Sequence, residues 1–174
     1  DGGDSNGVLP ASFHGAHVAA SIGASRNTAN QFGVAGVTWE TQVFHVRVLG
    51  LMGGSNFDIQ NAVRYAAGLP STAPNPANPP ADIQNLSLGG PAFSQSFQDA
   101  VTAATQAGCL IIAAAGNENS STPSFPAAYD NVVSVAAVDF ERQRAPYSNF
   151  PPSVDLAAPG GLAEGRVVGR REAH

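Results

Sequence analysis

The sequence contains no lysine, and eight arginines supply all of its formal positive charge against thirteen acidic residues. The last nine positions contain three of the arginines, Arg166, Arg170 and Arg171. The rest of the chain is therefore more acidic than the formal net charge of −5 indicates. So few cations cannot form a basic stripe able to neutralise a phosphate backbone. We therefore expect no nucleic-acid partner.

Cysteine and long apolar runs are also scarce. Cys109 is the single cysteine, which excludes an internal disulfide, and its apolar neighbours favour a small buried hydrophobe over a reactive thiol. Its run, residues 109–115, is the longest apolar run and falls far below the roughly 18 residues of a membrane span. No charged, apolar leader precedes Asp1. We expect one soluble domain without a membrane partner, since 174 residues at 43% apolar content can form one core.

Apolar runs alternate with helix-like stretches along the chain. The pattern predicts strands at 43–49, 83–88, 110–115 and 132–138, and helices at 58–68 and 94–108. Several of the strands are continuous apolar runs, which is typical of strands buried on both faces of a parallel sheet. The sequence therefore predicts an α/β fold, with three α/β/α layers, a mainly parallel sheet and right-handed crossovers.

Two segments interrupt this alternation. Residues 69–80 contain five prolines in twelve positions, which excludes a helix or a central strand and predicts an insertion loop within a domain at 1–160. Residues 161–174 are rich in glycine and arginine, follow a Pro-Gly turn and lack an amphipathic period. We treat them as a tail outside that domain.

Ligands of an open parallel sheet bind beyond the carboxyl ends of its strands, and three loops qualify there. They are residues 87–90, 116–119 and 158–160. Glycine in such a loop permits close approach of another backbone, but it equally serves an ordinary turn. Asn117 is more informative, because an amide beside Gly116 can point an N–H into a cleft, as an oxyanion hole requires.

His14 and His17 precede a run of small residues at 18–22 that predicts a tightly packed, buried helix. A histidine at the start of such a helix would be held rigidly, as a general base must be. The alternative is a metal pair, although no H-E-x-x-H pattern accompanies it. No G-x-S-x-G elbow occurs either, and Ser87 lacks the first glycine of that motif.

Six segments are informative when they are taken together: residues 13–20 (FHGAHVAA), 33–37 with 46–49 (GVAGV and VRVL), 85–90 (NLSLGG), 113–118 (AAAGNE), 125–127 (FPA) and 155–160 (DLAAPG). In this order they resemble motifs of the subtilase family of serine proteases. The first resembles the family's HGTHVAG, with Ala16 and Ala20 departing from it, and FPA resembles a turn that carries a cis proline in relatives. Each match is modest, but six in family order exclude a chance similarity.

The resemblance implies that His14 is the general base and that Asn117 donates a hydrogen bond to the tetrahedral oxyanion. It makes His17 a structural residue. It also implies a serine endopeptidase that hydrolyses extended polypeptides through an acyl-enzyme, needs no cofactor for its chemistry, is secreted or located at the cell surface, and acts as a monomer.

The substrate groove follows from the same resemblance. Substrate would pair as an added strand with Ser87, Leu88 and Gly89, while residues 114–116 (Ala114, Ala115 and Gly116) would wall the pocket before the scissile bond. Gly53 and Phe57 match positions that line the next pockets. In many relatives the loop after the histidine helix binds calcium; here Asn27, Thr28 and Asn30 offer oxygen ligands without a carboxylate, which predicts weak binding.

Two family elements have no counterpart in this sequence. Only Asp1 and Asp4 precede His14, without the family's D-[ST]-G strand, and no serine follows Gly160, where the family has G-T-S-M-A. After Gly160 the resemblance stops abruptly and arginines cluster, which a shifted reading frame, a cloning scar or a divergent end would each produce. We expect a catalytic-domain fragment that hardly cleaves peptides alone. The alternative is a non-catalytic remnant or a peptide-binding pseudoenzyme; a nucleotide binder is disfavoured because no G-x-G-x-x-G motif is present.

Overall fold

The computed structural model describes residues 13–25, 34–50, 52–74 and 76–161. The chain divides into two units, residues 1–62 and 63–174, and each is described by itself. The elements are, in order, α1 (His14–Gly23), α2 (Asn56–Ala66), β1 (Ile83–Leu86), α3 (Gln95–Gln106), β2 (Leu110–Ala114), β3 (Val132–Val138) and β4 (Leu156–Pro159).

Helix α1 begins after Phe13, which has a φ of 52° and provides no side-chain cap. At the other end of the helix, residues 36–38 donate backbone hydrogen bonds to the carbonyls of Ser21, Ile22 and Ala24. These are carbonyls that a helix terminus leaves without an intrahelical donor. No residue of α1 is buried, so the prediction of a tightly packed buried helix is wrong; its small side chains reach only partial burial.

Residues 43–49 form no strand with any described residue, contrary to the sequence-based prediction. Val43, Phe44 and Val46 remain exposed. An apolar run becomes a strand only where a neighbouring strand accepts and donates its backbone hydrogen bonds, and no described residue does so here. The following turn is closed by hydrogen bonds from Gly50 N to Gly53 O (2.8 Å) and from Gly53 N to Gly50 O (3.3 Å).

Helix α2 confirms the predicted helix at 58–68, but it begins two residues earlier because Ser55 caps it. Ser55 Oγ accepts a hydrogen bond from Asp58 N (3.1 Å) and donates one to Asp58 Oδ2 (2.7 Å). This satisfies a backbone donor of the first turn. The buried positions recur at helical spacing on one face: Ile59, Val63, Ala66 and Ala67.

The sheet has four parallel strands in the order β1-β2-β3-β4. Strands β1, β2 and β3 confirm three of the predicted strands, with β3 at the predicted bounds. Strand β4 was not predicted, because Ala158, Pro159 and Gly160 read as a turn. Proline can occupy this position because β4 lies at the edge of the described sheet, where a missing N–H costs no ladder hydrogen bond.

Helix α3 connects β1 to β2 and packs against β2, which confirms the predicted α/β architecture. Ser94 caps the helix by accepting a hydrogen bond from Phe97 N (3.4 Å). The buried face carries the predicted apolar positions: Phe97, Ala100, Val101 and Ala104.

The proline-rich loop at 69–80 contains no helix or strand among its described residues, as predicted. It is tied to the end of α2 by a hydrogen bond from Ala77 N to Tyr65 O (3.0 Å), and Ala81, the residue after the loop, donates from its N to Ala66 O (2.8 Å). The Asn78–Pro79 peptide bond is cis. The assignment of this loop as an insertion and of 161–174 as a separate tail stays a prediction.

Candidate active site

The loops after β1 and β2 lie beyond the carboxyl ends of two parallel strands, and therefore on the same side of the sheet. Leu86 and Ala113 are register partners in parallel strands, so the residues that follow them leave the sheet side by side. This brings the predicted substrate-binding segments 87–89 and 114–116 next to each other within the second unit. Ligands of open parallel sheets bind on this side.

Two residues of the first loop, Leu88 and Gly89, have backbone groups that are open for pairing. Leu88 is half-buried, Gly89 is exposed, and neither residue's backbone hydrogen bonds to any residue that the structure describes. Gly90 then forms a two-way bridge with Phe125, with N···O distances of 2.9 and 2.8 Å. Free N–H and C=O groups beside a fixed bridge are what an added peptide strand requires.

Gly89 also approaches the segment around Phe125 closely. A β-carbon at Gly89 would lie 2.8 Å from Ser124 Oγ, which is closer than normal packing allows. The segment is supported by aromatic contacts: the rings of Phe125 and Tyr129 are 4.8 Å apart, and Phe93 meets Phe125 edge-on at 5.5 Å. The Phe125–Pro126 bond is cis, as the motif resemblance implied.

The three residues predicted to wall the pocket differ in exposure. Ala114 is exposed and Gly116 is half-buried, but Ala115 is only 1% exposed. Both backbone groups of Ala115 are also engaged, because its N–H donates to Val135 O and its C=O accepts from Asn149 Nδ2. Ala115 therefore supports the wall from behind, and only Ala114 and Gly116 can present surface to a ligand.

Asn117 is exposed at the start of the turn after β2, and no described residue hydrogen bonds to its side-chain amide. Its backbone N–H is already used, since it donates to the Glu118 carboxylate at Oε2 (3.0 Å). The only hydrogen-bond donor that Asn117 can offer a ligand is therefore its side-chain amide. An oxyanion hole needs a donor of this kind, aimed at the reacting carbonyl rather than at the protein.

Asn149 holds this turn from beneath. It is 2% exposed, and its Nδ2 donates to Ala115 O (3.1 Å) and Glu118 Oε2 (2.7 Å), while its Oδ1 accepts from Glu118 N (2.9 Å) and Ser120 N (3.1 Å). Two acceptors on one side and two donors on the other fix the orientation of the amide. All four hydrogen-bonding positions of this buried amide are satisfied.

The segment 147–150 runs alongside the turn and links it to the end of β4. Asn119 N donates to Tyr147 O (2.8 Å), Asn149 N to Gly116 O (3.1 Å), and Phe150 N to Ser120 O (2.9 Å). The Tyr147 hydroxyl reaches Gly160 O at 3.0 Å. One short segment therefore connects the loops that follow β2 and β4.

Arg144 adds a side-chain brace to the same segment. One guanidinium nitrogen donates to Asn119 Oδ1 (2.8 Å) and to Ser148 O (2.7 Å), and the guanidinium lies 4.4 Å from the centre of the Phe150 ring. Asn119 has a φ of 51°, which asparagine tolerates better than most residues. Sequence reasoning missed Arg144 and Asn149, because neither lies in a periodic element or beside a strand motif.

The predicted residues of the first unit are described within it. His14 and His17 are both exposed on α1, at its first and fourth positions, and Gly53 and Phe57 are exposed at the turn before α2 and in its first turn. Because His14 and Asn117 belong to different units, the cleft that they are expected to share stays a prediction.

The predicted calcium ligands Asn27, Thr28 and Asn30 lie outside the described residues. Within the described ranges, no group of three or more histidine, cysteine, aspartate or glutamate side chains could hold a metal ion. No helix in the same ranges is long and apolar enough to cross a membrane.

Cys109 is buried, as predicted, and accepts a hydrogen bond from Gln84 Nε2 at 3.2 Å. Burial raises the pKa of its thiol, which opposes formation of a nucleophilic thiolate. The residue immediately precedes β2, whereas the candidate site follows the carboxyl end of that strand. The thiol therefore takes no part in the site.

Comparison with known proteins gives one consistent result. The Subtilase family model matches residues 1–172. The extracellular protease of Xanthomonas campestris is 43% identical over 152 residues, covering 86% of this chain and 26% of that protein. The extracellular basic protease of Dichelobacter nodosus is 42% identical over 150 residues, covering 85% and 24%.

Solved structures agree with the sequence matches. A protease from Pseudoalteromonas arctica superposes with a TM-score of 0.82 at 40% identity, covering 87% of this chain and 45% of that one. A psychrophilic subtilisin-like protease from an Antarctic Pseudoalteromonas gives a TM-score of 0.69 at 31% identity, covering 92% and 35%. The chain spans about a quarter to a half of the length of these proteins.

Proposed function

Because this chain belongs to the subtilase family, we propose that it supplies the general base, the oxyanion donor and the substrate-pairing strand of a secreted serine endopeptidase. The substrate is an extended polypeptide, and the reaction passes through an acyl-enzyme. Secretion is supported by the relatives that are named extracellular proteases. We propose that the protease acts as a monomer without a nucleic-acid or membrane partner and that its chemistry needs no cofactor.

The observation that carries this proposal is the state of Asn117. Its side-chain amide is exposed and bonds to no described residue, while the turn beneath it is held by the fully satisfied amide of Asn149. A donor that stands on a rigid turn and has no protein partner can meet an oxyanion without breaking a hydrogen bond of the protein. A turn with a purely structural role would not need an outward amide on so rigid a base.

The neighbouring loop supplies the means to place a substrate. A peptide that pairs with the open backbone of Leu88 and Gly89 would run between that loop and the wall formed by Ala114 and Gly116. Main-chain pairing tolerates many sequences, which suits the digestion of extended polypeptides. Gly53 and Phe57 are proposed to line further pockets along the same substrate.

His14 is proposed as the general base. It would take the proton of the attacking serine hydroxyl and deliver it to the leaving amine, so that the protein returns to its starting protonation state after deacylation. The sequence printed here has no serine beyond Ser153 and no D-[ST]-G strand before His14. We therefore propose that a polypeptide of this sequence alone hydrolyses peptides poorly. The nucleophile of the active enzyme would be the serine of a G-T-S-M-A segment.

A chimera tests the proposal directly. The 152 matched residues of the Xanthomonas extracellular protease would be replaced by the corresponding residues of this chain, and hydrolysis of a chromogenic peptide would be measured. We expect activity, loss of about 10²–10⁴-fold with His14→Ala, and little change with the matched control His17→Gln. A chimera that is folded by circular dichroism and still inert would refute the catalytic assignment.

The second candidate is a peptide-binding protein without catalysis, in which the open backbone of Leu88 and Gly89 would hold a peptide strand. Isothermal titration of the 174-residue chain with a non-hydrolysable extended peptide distinguishes the two. Binding together with an inert folded chimera supports the pseudoenzyme. Binding together with an active chimera supports the protease, since both functions use the same groove.

A further inference from the structure

We infer that Asn149 and Glu118 are positioning residues: they hold the backbone of Asn117 and so set the direction of its side-chain amide. This inference rests on the proposed function of Asn117. The two side chains form one hydrogen-bonded unit beneath the turn. Glu118 Oε2 accepts from Asn149 Nδ2 (2.7 Å) and from the backbone N–H of Asn117 (3.0 Å). The carboxylate therefore links a buried anchor to the peptide group that carries the donor.

The anchor itself is fixed to the sheet. Asn149 Nδ2 donates to Ala115 O, the first residue after β2, and Asn149 N donates to Gly116 O. Ala115 N continues the pairing with β3 through Val135 O (2.9 Å). The position of Asn149 is thus determined by the rigid end of the sheet, and it transmits that position to the turn.

Glu118 has a second role in directing hydrogen bonds. By occupying the N–H of Asn117, its carboxylate removes the main-chain donor that would otherwise compete for the same ligand. Asn117 then meets the ligand with its side-chain amide and not with its main chain. A displacement of about 1 Å in a donor can cost up to about 100-fold in rate, so this constraint matters for kcat more than for affinity.

Three variants, one at Asn149 and two at Glu118, separate this role from general packing. Asn149→Asp keeps the size and the Oδ1 acceptor but removes the donors to Ala115 O and Glu118 Oε2 and sets two carboxylates against each other. Glu118→Ala removes the acceptor of the Asn117 N–H, whereas Glu118→Gln keeps an oxygen that can accept both hydrogen bonds. Glu118 is exposed, so its variants leave the core intact.

The first measurement is amide hydrogen exchange by NMR on the full 174-residue chain. We expect the exchange protection of the Asn117 backbone N–H to fall at least about tenfold in Asn149→Asp and Glu118→Ala. In Glu118→Gln this protection should stay within about threefold of the parent. Amides of β3 should be unchanged. Unaltered protection at Asn117 in Glu118→Ala overturns the inference, even if Asn149→Asp fails to fold.

The second measurement uses the chimera. Glu118→Ala should lower kcat about 10- to 100-fold with KM changed less than about threefold, and Glu118→Gln should restore most of it. In an Asn117→Ala background the Glu118→Ala effect should largely disappear, because both changes act through one donor. Full additivity overturns the inference. An inert parent chimera contradicts the proposed function instead, while hydrogen exchange still decides whether these residues fix the turn.

Discussion

Gly116 lies against the carboxamide of Asn149, and no space exists between them for a β-carbon. A Cβ at position 116 would collide with Asn149 Nδ2 and lie 2.6 Å from Glu118 Oε2, and Gly116 also has a φ of +113°. The glycine of this turn is therefore required twice, once by the backbone and once by the buried amide. A variant at this position tests the brace without removing any of its hydrogen-bonding groups.

Gly116→Ala is expected to lower the free energy of unfolding by at least about 1–3 kcal/mol, because strain at a positive φ and the clash with Asn149 act together. The measurement is urea unfolding followed by circular dichroism. Gly90→Ala is the matched control: an added Cβ there meets no atom within 4 Å, so its effect should be small. Equal stabilities for the two variants would contradict the packing described around Asn149.

Asn117→Ala is expected to separate activity from stability. In the chimera it should lower kcat by about 10²–10³-fold, the known cost of removing this donor in subtilisin itself, a member of the same family. The thermal midpoint of the 174-residue chain should hardly change, because the side chain is exposed and bonds to no described residue. A large drop in stability would mean that the amide serves the fold.

Arg144→Lys is expected to loosen the turn even though the charge is kept. Lysine cannot span Asn119 Oδ1 and Ser148 O with one planar group while covering Phe150. The free energy of unfolding should fall by about 1 kcal/mol, and the backbone N–H of Asn119 should lose protection against hydrogen exchange. Arg142→Lys is the control, since Arg142 is an exposed arginine of the same loop. If the two variants behave alike, the guanidinium contacts contribute nothing measurable.

Alkaline pH is expected to destabilise the chain. Burial raises the pKa values of Cys109 and Tyr129, so above the ordinary pKa of each group the folded state holds more protons than the unfolded state. Stability then falls as pH rises, starting near pH 8.5 for the thiol and near pH 10 for the phenol. Thermal midpoints measured between about pH 7 and about pH 11 cover both groups, and Cys109→Ala should flatten the part of the curve below about pH 10. An unchanged slope in that variant would contradict the assignment to the thiol.

Strands β2 and β3 were predictable because their apolar residues are nearly continuous in sequence. Residues 110–114 and 132–138 carry nearly continuous apolar runs, and the helix before β2 repeats its apolar positions at helical spacing, whereas residues 83–86 place two polar residues between Ile83 and Leu86. Residues 43–49 carry a similar run but form no strand with a described residue, since pairing depends on a neighbour that local sequence does not specify. Strand β4 escaped prediction because its proline reads as a turn until its edge position is known.

The candidate site was predictable only where glycine and polar residues follow a strand. Asn117 and Gly89 satisfy that rule, and motif resemblance supplied their proposed roles. Asn149 and Arg144 do not satisfy it, because they act across 25 or more residues of sequence and owe their importance to three-dimensional contacts alone. Ala115 shows the converse: it belongs to a motif, yet its methyl group faces inward and its backbone is fully engaged.

The engagement of the Asn117 N–H by Glu118 has an evolutionary consequence. A donor carried by the main chain is present whatever residue occupies the position, whereas a donor carried by a side chain disappears with one codon change. Because residues other than Asn117 hold the turn at position 117, such a change would remove the donor and leave the conformation of the turn unchanged. A lineage could therefore abandon or recover the proposed oxyanion chemistry in single steps while the loops after β1 and β2 persist.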